Sequence, residues 1–315
     1  MSRGRNRTKK RRKKKLKKSV KIFIVVFCLL LIGGGYVGYN YYLSKTSDDP
    51  HGVISDASPE DNEGGSDYNL ETENAEAKYW ILNAGEGEAI YIQIGDSDVL
   101  IDTGTKDTAK SIVKTVSENI KGDLDYVILT NGDSGRIGGV STLYKSVTVK
   151  HTIIGELGDQ AENIKKAIGK NGDIVSGKST TLELDDGAIL SILKPEVASK
   201  DSRDHSLMTA FIYGDTKFVA ESDAGAEEEA KLLSTVESCD VLVLARHGSA
   251  EKTNQVDLNE RYTVVSTNKK SGLPSQSLID SKSAIFSTAK SGAIKFTSDS
   301  AVIEMNLSAS DAISN

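Results

Sequence analysis

The apolar positions of this chain fall into three textures. Residues 22–43, IFIVVFCLLLIGGGYVGYNYYL, hold no charge at all. A run of that length predicts a helix that crosses about 30 Å of hydrocarbon. Residues 44–77 show no apolar period, are acidic, and are rich in Gly and Ser. They predict a disordered linker. From Lys78 onward, short apolar runs alternate with Gly-rich turns, in the manner of strands.

In this third stretch KYWILNAG, EAIYIQIG and SDVLIDTG predict three strands. TKDTAKSIVKTVSENI carries Ile112, Val113, Val116 and Ile120 at helical spacing, with Thr105 or Asp107 as its expected N-cap. LDYVILT and VKHTIIG predict buried strands, and AENIKKAIGKNG a helix closed by glycine. TTLELDDGAILSILKP reads as a hairpin around Asp185, Asp186 and Gly187. SLMTAFIYGDTKFVAES reads as a second hairpin, turning at Gly214 and Asp215. AEEEAKLLSTVES predicts a helix, CDVLVLA and YTVVST predict strands, and SGAIKFTSDSAVIEMNL closes with a hairpin. Hairpins and βα units are thus mixed, which argues against a purely parallel sheet and for two mixed sheets with helices outside. The expected organisation is a basic tail (1–21), a transmembrane helix (22–43), an acidic linker (44–77), one folded domain (78–308) and a short tail (309–315).

Charge sharpens this. The net charge of −6 hides an asymmetry: residues 1–50 hold 14 of the 39 Lys and Arg and only 2 of the 45 acids. The remaining 265 residues therefore carry 25 bases against 43 acids, a net of −18. Thirteen of the bases precede residue 22. The positive-inside rule then predicts a single-pass cell-membrane protein, its N-terminus cytoplasmic and its large domain extracytoplasmic. The basic tail would hold anionic lipid headgroups. A cleaved signal peptide fits less well, because the apolar run is too long and no small-x-small site follows it. So acidic a domain argues against nucleic-acid binding, which depends on neutralising phosphates. Cys28 and Cys239 fall in different environments, so no intrachain disulfide is expected.

Candidate chemistry gathers in TNGDSGRIGG, residues 130–139, directly after a predicted strand. NAGEGEAIYIQ, DVLIDTG, LDYVILT-x6-IGG, SLMTAFIYGDTKFVAESD, DVLVLARHGS and GAIKFTSD then follow in one order over about residues 79–306. That order resembles the metallo-β-lactamase-like domain of ComEC-type competence proteins. The resemblance implies an α/β (α+β) four-layer αββα sandwich, a site at the strand ends along one edge, and a dinuclear zinc or manganese centre that hydrolyses phosphodiesters.

Carried over by position, the resemblance also implies that the metal site is degenerate. The family loop reads Thr-His-x-(His or Asp)-x-Asp-His-x-Gly-Gly. Here Thr130 matches, Asn131 replaces the first histidine, Asp133 matches, Gly135 replaces the aspartate and Arg136 the next histidine. Gly138 and Gly139 match as scaffold, as do Asp102, Gly104 and Gly248. Asp223 keeps the acid of the bridging aspartate, Arg246-His247 stands for His-His, and Leu273 replaces the histidine of Gly-His-Pro.

Zinc needs about four N, O or S donors, and arginine, always protonated, cannot be one. The leading expectation is therefore an inactive member of the fold without a cofactor, in which a guanidinium neutralises Asp133 and Asp223. Two alternatives stand beside it: Arg136 and Arg246 as an anion-binding pair, and a single divalent zinc or manganese ion on Asp133, Asp223 and His247. An unknown ligand or an envelope protein is the expected partner, and a purely structural envelope module is the remaining class. Asp102 reads alternatively as an Asx turn. His205 reads as a surface residue or one lying behind the site. A Ser249 nucleophile is disfavoured, because no acid is placed to orient His247.

Overall fold

The computed structural model describes residues 75–196, 199–225, 227, 230, 236, 238–249, 258–267, 280 and 284–313. The predicted span, nearly all of the linker, the helix predicted over AEEEAKLLSTVES apart from isolated residues, and Leu273 lie outside them. Among the described residues no helix is long and apolar enough to cross a membrane.

The described chain is a mixed α/β two-sheet sandwich. The first sheet joins β1 (Ala77–Ile81), β2 (Ile90–Ile94), β3 (Ser97–Ile101), β4 (Leu124–Asn131), β5 (Val149–Glu156), β6 (Asp173–Ser176), β14 (Ile294–Ser298) and β15 (Ile303–Met305), in the order β15-β14-β1-β2-β3-β4-β5-β6. The second holds β7 (Thr180–Glu183), β8 (Ile189–Leu193), β9 (Met208–Tyr213), β10 (Thr216–Ala220), β11 (Val241–Val243), β12 (Tyr262–Val265) and β13 (Ile285–Ser287), in the order β13-β12-β11-β10-β9-β8-β7. Each sheet mixes hairpins with parallel pairs, for example β2–β3 antiparallel and β3–β4 parallel.

Alternation along the strands builds the layers. Ile90, Ile92, Val99, Ile101 and Ile128 point between the sheets, where they meet Phe211, Phe218, Val243 and Phe286. The intervening Tyr91, Leu100, Val127 and Leu129 face the other way. They are covered by α1 (Ala109–Ser117), α3 (Val140–Ser146) and α4 (Ala161–Ile168). The outer face of the second sheet buries Met208, Val219, Leu242 and Val265 in a third cluster.

Local departures from expectation have physical causes. Neither Thr105 nor Asp107 caps α1; its N-cap is Thr108, whose hydroxyl bonds Thr105 and the Ala84 carbonyl instead. β1 opens at Ala77, one residue inside the predicted linker, because Ala77 pairs with Ser298. β6, exposed along its length, and three-residue β13 are too polar or too short to show a period. Both hairpin turns use left-handed residues where expected, Asp186 (φ 53°) and Gly214 (φ 55°).

Candidate functional site

The parallel strands β3, β4 and β11 and the hairpin strand β10 end at one edge, and their following loops converge there. Asp102 follows β3, Asn131 ends β4, and Asp133 begins the short helix α2 (Ser134–Ile137) that carries Arg136. Ser222 and Asp223 follow β10, and Arg246 and His247 lie in the one-turn helix Ala245–Gly248 after β11. Four non-glycine residues here take left-handed φ: Asp102, Ser222, Arg246 and His247, at 49° to 58°. Each such residue costs on the order of 1–3 kcal/mol, a strain typical of functional loops.

Arg136 is the centre of the cluster and is 1% exposed. Its Nε and Nη2 donate to Asp223 Oδ2 (3.1 Å) and Oδ1 (2.7 Å), a two-pronged pair. Nη1 lies 2.5 Å from Glu88 Oε1 and 3.4 Å from Asp102 Oδ2. The Glu88 contact is a buried ion pair. Asn131 Nδ2 donates to Asp223 Oδ2 (2.8 Å) and to Ser206 Oγ (2.7 Å). Asp102 accepts from the Thr130 backbone N–H (2.8 Å) and hydroxyl (2.6 Å), and is no Asx turn.

One guanidinium among three buried carboxylates leaves an excess of negative charge. Burial pushes Asp102 up to about 7, against the pull of Arg136 and Thr130. Burial also raises Glu88, and Arg136 only partly offsets this. Burial would raise Asp223 too, but the Arg136 charge, its hydrogen bonds and Asn131 hold it down at about 2. Asp223 is therefore the committed anion of the group, and Asp102 is the acid that exchanges its proton around neutrality.

Asp133 does not join the cluster. Its Oδ1 accepts the Gly135 N–H (2.7 Å) as the N-cap of α2, and its own N–H donates to Asn131 Oδ1 (2.7 Å). The expected Arg136–Asp133 pair is thus replaced by pairs to Glu88 and Asp102. Asp133 is spent locally because the side chain of a residue two before Gly135 reaches that amide first. Gly135 packs on the loop between β1 and β2: a Cβ there would stand 2.7 Å from the Glu86 carbonyl oxygen. Gly139 has no room either, with Thr103 O at 2.3 Å from such a Cβ. Gly138 is the C-cap of α2, and Gly104 (φ 69°) and Gly248 (φ 72°) take left-handed turns.

Arg246 turns away from Arg136. Its Nη1 pairs with Asp201 Oδ2 (3.3 Å) and its Nη2 with Asp204. Its Nε is buried and has no hydrogen-bond partner among the described residues. His247 Nδ1 donates to the Ser266 carbonyl, so this nitrogen carries the proton. His205 bonds the Ser199 carbonyl (3.1 Å) behind the loop, and Cys239 is buried. Asp133, Arg136, Asp223, Arg246 and His247 all border one cavity of 160 Å³, together with Arg203 and Glu86. Sequence reasoning missed Glu88, Arg203 and Asp201. A signal for Glu88 existed, an acid two residues before the fully buried run of β2.

The donor set does not fit a dinuclear metal centre. Both oxygens of Asp223 are committed to Arg136 and Asn131, one oxygen of Asp133 to a backbone amide, and one nitrogen of His247 to a carbonyl. A guanidinium already sits among the buried acids, where its charge would repel a divalent cation.

No protein-family model matches the chain, and no curated protein matches it. Solved structures do resemble it. The metallo-β-lactamase fold protein YhfI from Bacillus subtilis aligns with TM-score 0.46 and 13% identity, covering 61% of this chain and 86% of its own. A diphosphatase of the PhnP family aligns with TM-score 0.45 and 16% identity, over 67% and 94%. A Cronobacter sakazakii metallo-β-lactamase with a HARLDQ motif aligns with TM-score 0.41 and 15% identity, over 54% and 75%. The two-sheet architecture is consistent with the metallo-β-lactamase fold. Likenesses this distant carry nothing about chemistry.

Proposed function

We propose that this chain is a membrane-anchored, extracytoplasmic protein related to the ComEC-type hydrolase domain, catalytically inactive, and acting by binding a ligand or partner. The observation that carries this reading is the Arg136 side chain, buried and held by Asp223, Glu88 and Asp102. By the resemblance, Arg136 stands at a histidine ligand and Asp223 at the aspartate that bridges the metals. A buried guanidinium that already holds these three acids competes with a divalent ion for them and repels it. Anchoring rests on the charge-free run at 22–43 and the basic residues before it. The acidity of the domain disfavours nucleic acid as its ligand.

A second reading keeps one divalent ion, zinc or manganese, on Asp133, Asp223 and His247, which border the same cavity. One experiment separates the two. The full chain is purified in detergent after growth with zinc and manganese, and its metal content and phosphodiesterase activity are measured. The expected result is less than 0.1 equivalent of either metal (about a tenfold margin below single occupancy) and no hydrolysis. One equivalent with activity supports the second reading; two equivalents overturn the first outright.

A further inference from the structure

The polar atoms left free around the 160 Å³ cavity are sorted by sign. The first sheet's loops bring Glu86 and Asp133, which have a whole carboxylate and one carboxylate oxygen without a bonded partner. The second sheet's loops bring Arg203 and Arg246. Arg203 commits Nε and Nη2 to Asp201 and leaves Nη1 free. Arg246 is 7% exposed, spends both terminal nitrogens on Asp201 and Asp204, and keeps Nε buried with no hydrogen-bond partner among the described residues. Asp223 and Arg136 also line the cavity but are already paired to each other.

An anion alone would meet Arg246 and Arg203 yet be repelled by Glu86 and Asp133. A cation alone would meet the reverse. Only a molecule with both charges close together satisfies both sides. We propose that this cavity binds a small zwitterion of the α-amino-acid type, its carboxylate on Arg203 Nη1 beside the Arg246 guanidinium and its ammonium between Glu86 and Asp133. Ser249, at the same wall, adds a hydroxyl that can either donate or accept. A larger cleft of 790 Å³ adjoins at Asp133 and Arg203, and houses whatever side chain the zwitterion carries. The inference rests on the non-catalytic reading above and names the ligand class of that site.

The test is calorimetric titration of the full chain in detergent with L-alanine, D-alanine, inorganic phosphate and methylammonium. At least one alanine is expected to bind saturably, with phosphate and methylammonium each roughly tenfold weaker or worse, as loss of one charged contact set implies. Glu86→Gln and Arg203→Gln, both at partly open positions, are each expected to weaken alanine by roughly tenfold with the unfolding midpoint unchanged. Phosphate binding as tightly as alanine, alanine binding indifferent to both variants, or no saturable binding would overturn the proposal. Metal analysis of the same sample keeps the two failures apart. A metal-loaded chain defeats the non-catalytic reading, whereas a metal-free chain that ignores alanine defeats the zwitterion alone.

Discussion

Two arginines occupy places where the resemblance puts histidine ligands, and they are used in opposite ways. Arg136 is 1% exposed and faces three acids that are themselves buried. Arg246 is 7% exposed, but its partners Asp201 and Asp204 are 36% and 22% exposed, and one of its nitrogens is idle. The first is a lock inside the fold, and the second is part of a wall. A buried arginine in such a loop can thus either close a site or leave it open for something else. Which one happens depends on how many acids face the new cation and how wet they are.

The comparison breaks most visibly at Arg136. Arg136→Met leaves Glu88, Asp102 and Asp223 buried without their cation, and such removals cost about 3–5 kcal/mol. Denaturant unfolding of the full chain should show that loss, or failure to fold. A loss below about 1 kcal/mol, the value of an exposed ion pair, would mean the cluster is no lock.

A second large effect concerns the proton on Asp102. Its folded value of about 7 lies above the ordinary aspartate value of about 3.9. The folded state therefore binds more protons than the unfolded one between those limits. This contribution is fully present below about pH 4 and is lost as pH rises through about 7. Asp223, held at about 2, acts in the other direction, its contribution present above about pH 4 and lost as pH falls through about 2. Stability measured from pH 5 to pH 8 should fall with rising pH, and Asp102→Asn, which imitates the protonated acid, should flatten that fall. An unchanged slope in the variant would assign the proton elsewhere.

Gly135 gives the next effect. Gly135→Asp, which introduces the aspartate that the resemblance implies at this position, forces a Cβ to within 2.7 Å of the Glu86 carbonyl oxygen. Overpacking of this kind costs about 1–3 kcal/mol. Because the obstacle is backbone, it cannot swing aside. The melting temperature should drop, and the variant should not gain metal. A variant that bound zinc with an unchanged melting temperature would show that the loop has room for a metal site.

Much of this was legible beforehand, and the reasons are local. The hairpins at Asp186 and Gly214 were readable because turn residues punctuate alternating strands. The convergence of Asn131, Arg136, Asp223 and Arg246 was readable through the resemblance, since strand ends line one edge. What stayed hidden was pairing. Asp133 lies three residues from Arg136 and Glu88 lies 48 away, yet Glu88 is the partner. Sequence distance says nothing of this. The backbone amide of Gly135 claims Asp133, and the buried start of β2 carries Glu88 inward. Arg203 was hidden for a similar reason: its role comes from a loop, held by its own Asp201, that folds over the site from the second sheet.

The smallest expected effect is the most telling for the comparison. Arg246→Met removes a guanidinium as surely as Arg136→Met does, and by sequence the two look alike. Here, however, Asp201 keeps Arg203, whose Nε and Nη2 reach its two oxygens at 3.1 and 2.9 Å. Asp204 keeps the Ser199 hydroxyl and is partly solvated. No carboxylate is left both buried and unpaired, so the loss should be about 1 kcal/mol or less, the range of partly exposed pairs. The idle Nε disappears as well, which removes one cost of burial and trims the loss further. Unfolding of the two variants side by side is therefore the direct measure of lock against wall. Equal losses would place both arginines in the same structural role and deprive the cavity of its basic side.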